Sequence, residues 1–374
     1  LRTVFPPRTR PGRFVLYICS FAIAALYVVH AGFVNTTPYI DLSQWLSGHE
    51  RLPFQKRALL IPLLRAFDHS PAVQHFAKTR SFVLAQPVKI GLVVIDFLSL
   101  LGCGFLATRI YDRATHSGRL RWAPSALMLV LYVFTAGFRY ESNFIFPYDM
   151  LSMFFFTLGI YLIQRNKIWM LFILFPIATL NRETTLMWAP VLLLAGRYRA
   201  KFSCQPHRVW IKTALTTTAL VLMWFAMMHF INGRYPHNDR SEDFPRIFYN
   251  IRLLFSPKDW DQLLSLFAFT LHFALLSWRK IDDGLLRNIF PIVPLWVALM
   301  FYQGVIIEGR IFSELLPYYA VVSVLIFEHI YLVYPAADAL EEEEADTQPV
   351  FEEATLWPRL RAMQFKVAAA LSPR

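Results

Sequence analysis

Charge is scarce in this chain. Only 17% of its 374 residues are Asp, Glu, Lys or Arg, against about a quarter in an ordinary soluble domain. With a mean hydropathy of +0.40, that shortage argues against a soluble enzyme, a disordered chain or a nucleic-acid-binding module. Cysteine is scarce too. Cys19, Cys103 and Cys204 form no close pair, which speaks against a disulfide framework or a structural zinc site. No GxGxxG or GxxxxGK[ST] occurs, so cytoplasmic nucleotide binding is unsupported. There is no HExxH, and His30, His49, His69 and His75 lack metal-ligand spacing. What abounds is apolar: 56% of residues are hydrophobic and 16% aromatic. The net charge of +11 is placed as membrane topology requires, so nucleic acid is not the expected partner.

Runs of roughly 20 apolar residues suit membrane crossing. They fall at 14–34, about 84–109, 123–138, 144–163, 211–231, 263–278, 288–306 and 316–334. The first is too long for a signal-peptide core and reads as a retained helix. The stretch 168–196 is apolar apart from Asn181-Arg182-Glu183-Thr184. It is too long for one helix with a central charged pair facing lipid, so it reads as two short helices meeting at that tetrad.

Basic residues gather in alternating segments: Arg2 to Arg13, Arg109 to Arg121, Arg165 and Lys167, Arg197 to Lys212, and Arg279 to Arg287. The positive-inside rule makes that side cytoplasmic and gives about ten crossings with both termini inside. The expected fold is an all-α polytopic membrane bundle. Residues 1–334 are expected to form the transmembrane domain, with outer loops at about 35–83 and 232–262. Residues 335–374 form a cytoplasmic tail: an acidic linker with eight acidic residues between Asp338 and Glu353, then an amphipathic basic stretch. No internal repeat is visible.

The outer segments carry mixed acids, amides and cations, which topology alone does not ask for. Asp41 stands near the start of a short helix expected over Tyr39–Leu46, either as a proton acceptor or as a helix cap. Phe54–Phe67 suits a helix lying in the interface. Its Lys56 and Arg57 either meet lipid headgroups or grip a lipid-linked phosphate. Asp41 and Glu50 could hold a divalent ion with water, though no cofactor is clearly indicated. Helices of about 13 residues rise only about 20 Å, short of a hydrocarbon core of about 30 Å. The tetrad should therefore lie below the outer surface, where ionisable groups are candidates for function. Either Arg182 and Glu183 pair to satisfy the turn, or Arg182 contacts phosphate while Glu183 orients it or binds a sugar hydroxyl.

A third group, Glu308, Arg310 and Glu314, opens the last helix, with Arg310 and Glu314 spaced for an i,i+4 pair. Asp149, in Phe146-Pro147-Tyr148-Asp149-Met150, is near enough to the outer end to join the site. Asp96, nearer mid-span, is expected to pair with another helix. The loop with Arg234, His237, Asp239, Arg240, Arg246 and Arg252 resembles a lid or acceptor platform.

These features together resemble the GT-C superfamily of multi-spanning glycosyltransferases, of the bacterial inner-membrane type. The resemblance covers most of residues 14–334. It rests on an acid in a long first outer loop, the segment Phe54-Gln55-Lys56-Arg57-Ala58-Leu59-Leu60-Ile61-Pro62-Leu63, the Asn181–Thr184 tetrad and the Glu308–Pro317 turn. It implies transfer of a sugar from a polyprenyl-phosphate donor to a glycan or other acceptor on the periplasmic face. Asp41 would be the base, and Lys56, Arg57, Arg182 and Arg310 the phosphate contacts. Asn181, Glu183, Asp149, Glu308 and His237 would bind sugar or acceptor. Many such enzymes have two adjacent acids in the first loop, whereas Asp41 stands alone. A transporter or flippase of a lipid-linked or anionic solute is the main alternative. An acyltransferase or polysaccharide ligase, and a noncatalytic scaffold, are others.

Overall fold

The computed structural model describes residues 10–34, 40–79, 86–115, 118–137, 146–240 and 244–333, with the side chains of 10–16, 30–34, 137 and 333 outside that description. Glu141 and the whole tail from 334 onward also lie outside it. The chain divides into a large unit ending at Glu328 and a second unit beginning at His329. Of the second unit, only one π-helical turn, His329–Val333, is described.

Helices make up 81% of the structure and no strand occurs among the described residues, so every functional group is presented by a helix or by the turn between two. The helices are α1 (Arg10–Val34), α2 (Leu42–Ser47), α3 (Ile61–His69), α4 (Pro71–Lys78), α5 (Pro87–Ala114), α6 (Ala123–Gly137), α7 (Asp149–Gln164) and α8 (Ile168–Asn181). They continue as α9 (Trp188–Lys201), α10 (Pro206–Arg234), α11 (Ile247–Leu254), α12 (Trp260–Ser265), α13 (Leu271–Ser277), α14 (Gly284–Ile289), α15 (Ile292–Gln303) and α16 (Leu316–Glu328). Four helical stretches are long and apolar enough to cross a membrane: Pro87–Ala114, Pro206–Arg234, Gly284–Gln303 and Gly309–Leu332. Shorter apolar helices occupy Tyr17–Val29, Ala123–Ala136, Asp149–Gln164 and Ile168–Asn181. Among the described residues the structure is all-helical, and its long apolar helices are those of a membrane protein.

The core centres on α5, which packs along α7 and α6, while α16 lies against α6 and α5. Small residues allow close approach between helices. A methyl group at Gly159 of α7 would sit 2.4 Å from the buried indole of Trp188 at the start of α9. By contrast, α10 buries few of its side chains. Its Leu215, Leu222, Phe225 and Phe230 are exposed, as suits a helix whose solvent is hydrocarbon.

Three sequence expectations are corrected. The span expected over 263–278 is not one helix: α12 and α13 are separated by a turn in which Phe267, Ala268 and Phe269 have φ of 53°, 51° and 62°. Left-handed backbone at non-glycine residues costs roughly 1–2 kcal/mol each. Here it is held by the Phe267 amide donating to Thr135 Oγ1 at 3.0 Å and by burial of the Phe267 ring against Tyr319 and Phe312. An apolar run alone carries no signal of such a break. The interfacial helix expected over Phe54–Phe67 begins only at Ile61, because Phe54–Lys56 form a 3-10 turn that leaves Arg57 in a non-helical position. Third, Gly309–Leu315 is a 3-10 segment. Arg310 and Glu314 are therefore not the α-helical i,i+4 pair expected.

The break at the tetrad is as expected. Helix α8 stops at Asn181, Arg182 is extended (φ −161°, ψ 137°), and a 3-10 turn Glu183–Met187 leads into α9. The Leu59 amide donates to the Leu180 carbonyl at 3.2 Å. One of the acceptors that α8 leaves open at its end is thereby satisfied by the segment that carries Arg57.

Candidate functional site

Three arginines from three separate elements meet at one end of the helices. Arg57, in the turn before α3, donates through Nε to Glu183 Oε2 at 3.0 Å and through Nη1 to Tyr148 OH at 2.6 Å. Its guanidinium also lies 4.5 Å from the centre of the Tyr148 ring. Arg182, at the end of α8, places Nη1 3.2 Å from Asp149 Oδ1 and 3.1 Å from Glu314 Oε1. Arg310 places Nη2 2.6 Å from Glu308 Oε2 and Nη1 3.8 Å from Asp149 Oδ2, and lies over the Phe146 ring at 3.7 Å. All three arginines are buried.

Asp149 therefore bridges two arginines, and the Phe146 amide fixes its Oδ2 at 3.0 Å. Thr184 Oγ1 donates to Glu314 Oε1 at 2.7 Å, so the tetrad and the late turn are joined twice. Ion pairs this deep hold only when both partners stay in place, since removing one leaves an uncompensated buried charge.

The network forms one wall of a cavity of about 490 Å³. Its lining includes five cations, Lys56, Arg57, Arg182, Arg246 and Arg310, and two acids, Glu183 and Glu308. Apolar and aromatic groups complete it, among them Trp224 and Met228 of α10, Phe244, and Leu299, Met300 and Tyr302 of α15. The lining comes from the C-terminal ends of α8, α10 and α15 and the turns beside them. The basic clusters Arg197–Lys201 and Arg208–Lys212 lie at the other ends, where α9 finishes and α10 starts. A pocket with excess positive lining and a partly apolar wall is suited to a ligand that joins an anionic group to an apolar one.

Burial opposes ionisation of Glu183, but the Arg57 guanidinium, its hydrogen bonds and Arg182 outweigh it and hold the carboxyl at about 2. Burial likewise works against the charge on Arg57, and Glu183 foremost keeps it ionised. Since Glu183 ordinarily titrates at 4.5, its pairing adds stability above about pH 4.5 that is lost as pH falls toward about 2. The gap in thermal midpoint between wild type and Glu183→Gln should be constant from about pH 7 to about pH 5 and narrow below about pH 4. A gap indifferent to pH would separate Glu183 from Arg57.

Of the residues marked from sequence, the cavity brings together Lys56, Arg57, Arg182, Glu183, Glu308 and Arg310. The others are elsewhere. Asp41 is exposed and caps α2, its Oδ1 accepting from Ser43 N at 2.8 Å, Ser43 Oγ at 2.6 Å and Gln44 N at 3.2 Å. The Ser43 hydroxyl, then the Gln44 and Ser43 amides, hold its carboxyl below the usual aspartate value. Such a group is a capped acceptor and a weak base. Glu50 accepts from the amides of Asp41 and Arg51, so both acids considered for a divalent ion are engaged with backbone. Among the described residues, no group of three His, Cys, Asp or Glu side chains is placed to hold a metal.

Asn181 is buried and donates to Tyr148 O at 3.1 Å and Ser152 Oγ at 2.8 Å. It fixes the start of α7 rather than lining the cavity. Asp149 is also buried behind the arginines and outside the lining. His237 is exposed and does not line the cavity. Its neighbour Asn238 donates to the carbonyls of Gly48 and Glu50 at 3.0 and 2.7 Å, tying the loop after α10 to the loop after α2. Sequence reasoning missed Phe146 and Tyr148, the aromatic faces against which Arg310 and Arg57 lie. Their position beside Asp149 was the available signal.

No protein-family model, curated protein or solved structure matches this chain.

Proposed function

We propose that the protein is an integral-membrane glycosyltransferase of GT-C type, moving a sugar from a polyprenyl-phosphate donor to a glycan or other acceptor. The single observation that carries this reading is the meeting of Arg57, Arg182 and Arg310 in one cavity whose lining also includes an apolar and aromatic part. In this reading the shorter apolar helices also cross the membrane, in a bundle of about ten crossings. Both termini are cytoplasmic and the cavity opens to the periplasm of a bacterial inner membrane.

The donor's isoprenoid chain stays among the helices while its phosphate meets Lys56, Arg57, Arg182 and Arg310. These cations stabilise the charge that develops as the phosphate departs. An acceptor hydroxyl attacks the anomeric carbon in line with that departure, inverting it, while a carboxylate takes the hydroxyl proton. Glu308 suits this role better than Asp41, because it lines the cavity and keeps part of its surface open. Glu183 is tied on both oxygens to Arg57.

The test is a transfer assay with purified protein in proteoliposomes and a panel of polyprenyl-phosphate sugars. Wild type should release polyprenyl phosphate and label the acceptor. Glu308→Gln should lower kcat by at least about 10²-fold, whereas Asp41→Asn should leave transfer largely intact. Movement of the intact donor across the bilayer with no transfer to any acceptor would favour the flippase alternative and overturn this reading.

A further inference from the structure

Helix α11 presents an apolar side that is bare in the described fold. It buries only Asn250 and Leu253. Phe248 and Phe255 are 84% and 80% exposed, and Ile251 between them is exposed too. Spaced by three, four and seven positions, these residues share one face of the helix. Tyr249 beside them and Trp260 at the start of α12 are each about half exposed. A contiguous apolar surface of this kind marks contact with a membrane or with another protein.

Hydrogen bonds fix where that surface lies. The Arg246 amide donates to the Tyr302 carbonyl at 2.8 Å. Asn250 Nδ2 donates to the carbonyls of Phe301 and Gly304 at 2.7 and 2.6 Å, and its Oδ1 accepts from the Ile306 amide at 3.1 Å. Gln262 of α12 donates to the Ile307 carbonyl, and Trp260 Nε1 folds α12 back onto α11 by donating to the Leu254 carbonyl at 2.9 Å. The stretch 246–262 is thus tied to 301–307, where α15 ends. That end has a defined depth. Gly284–Gln303 is an apolar stretch of 20 residues, rising about 30 Å, the thickness of a hydrocarbon core. Gln303 therefore falls where acyl chains give way to headgroups. It is the boundary on the cavity side, since Tyr302, Gln303 and Gly304 line the cavity.

We propose that α11 is a membrane-interface helix, seated with Phe248, Ile251 and Phe255 among the acyl chains of the leaflet on the cavity side. Tyr249 and Trp260 are the amphipathic aromatics enriched at that depth, and the exposed Arg252 and Lys258 suit headgroup phosphates. A soluble partner would have to reach the patch through the headgroups. The consequence is for the cavity. Phe244 and Arg246, beside the start of α11, line it, with the Arg246 guanidinium 3.9 Å from the centre of the Phe244 ring. An interfacial α11 sets this rim at headgroup level, where the polar end of a membrane-borne ligand arrives. The proposal goes beyond the transfer reading: it requires a bilayer, but no donor and no reaction.

Spin labels measure the depth. The full chain carrying Cys19→Ser and Cys204→Ser, with buried Cys103 left in place, is reconstituted in nanodiscs of phosphatidylethanolamine and phosphatidylglycerol. Nitroxides are attached at Phe248→Cys, Ile251→Cys and Phe255→Cys in separate proteins, and at His237→Cys as an exposed loop reference. Collision with oxygen, which concentrates among acyl chains, should exceed collision with a water-soluble nickel chelate severalfold at 248, 251 and 255, and the order should reverse at 237. The three stripe positions are exposed, so the variants should fold, and one that fails leaves two others to read. Labels at 248 and 255 as open to the chelate as the one at 237 would put the stripe in water and overturn the proposal. Labels shielded from both reagents would show that protein covers the stripe, a second copy of this chain included, and would overturn it as well. A failed transfer assay would leave these readings unchanged, so the two proposals fall separately.

Discussion

Gly309→Ala should prevent the protein from reaching its native structure. A methyl group at this position would stand 1.5 Å from the carbonyl oxygen of Thr135 and 2.5 Å from its carbon. Both are backbone atoms of α6, so no side chain can swing aside. The turn would have to leave α6, carrying Arg310, its immediate neighbour, away from Asp149. The expected cost is about 3 kcal/mol or more, at the upper end of what overpacking produces. Fluorescence-detected size-exclusion chromatography in detergent should show loss of the monodisperse peak and a thermal midpoint far below wild type. Gly233→Ala is the matched control. It lies in α10 with nothing within 4 Å of the added methyl, and should be neutral or slightly stabilising. A well-folded Gly309→Ala protein would show that the turn does not sit this close to α6.

The second large effect concerns Arg182. Replacing it by Leu strips the cation from between Asp149 and Glu314, both buried. Removing one partner of a buried ion pair costs about 3–5 kcal/mol, chiefly through the charge left behind. Most of that cost belongs to the stranded acids, so Asp149→Asn and Glu314→Gln added to Arg182→Leu should recover much of the lost thermal stability. On the reading proposed above, the recovered protein should bind a polyprenyl-phosphate lipid more weakly than wild type, since one of the lining cations is gone. A triple variant no more stable than Arg182→Leu alone would mean that the loss is one of packing, and that the three groups do not act as a charge unit.

Much of this arrangement was legible in the sequence, and the reason is physical. A charged tetrad in the middle of an apolar run has few places to go, so the break at Asn181–Thr184 could be anticipated from cost alone, whereas a common site for Arg57, Arg182 and Arg310 was what the resemblance implied. What could not be anticipated was who pairs with whom. Arg182 and Glu183 are sequence neighbours, yet the extended backbone at Arg182 sends them apart, Glu183 to Arg57 and Arg182 to Asp149 and Glu314. The same limit explains Glu314. Spacing suggested Arg310 as its partner, and only the 3-10 geometry of Gly309–Leu315 redirects it. Asp41 shows the converse. Its Ser43 and Gln44 neighbours mark a helix cap, a local signal that outweighed the functional role drawn from resemblance. The left-handed turn at Phe267–Phe269 left no trace in composition.

The bridging residues are also far apart in the order of synthesis. Thr184 and Glu314 are separated by 130 positions, and Asp149 meets Arg310 only once the late turn exists. A nascent chain that has completed α7 and α8 thus holds Arg182 with Asp149 while its second acid is still to come. The ribosome must complete nearly the whole large unit before that charge is balanced as in the finished fold. Chains arrested before Glu308 would lack Glu308, Arg310 and Glu314 and so hold an incomplete ionic cluster.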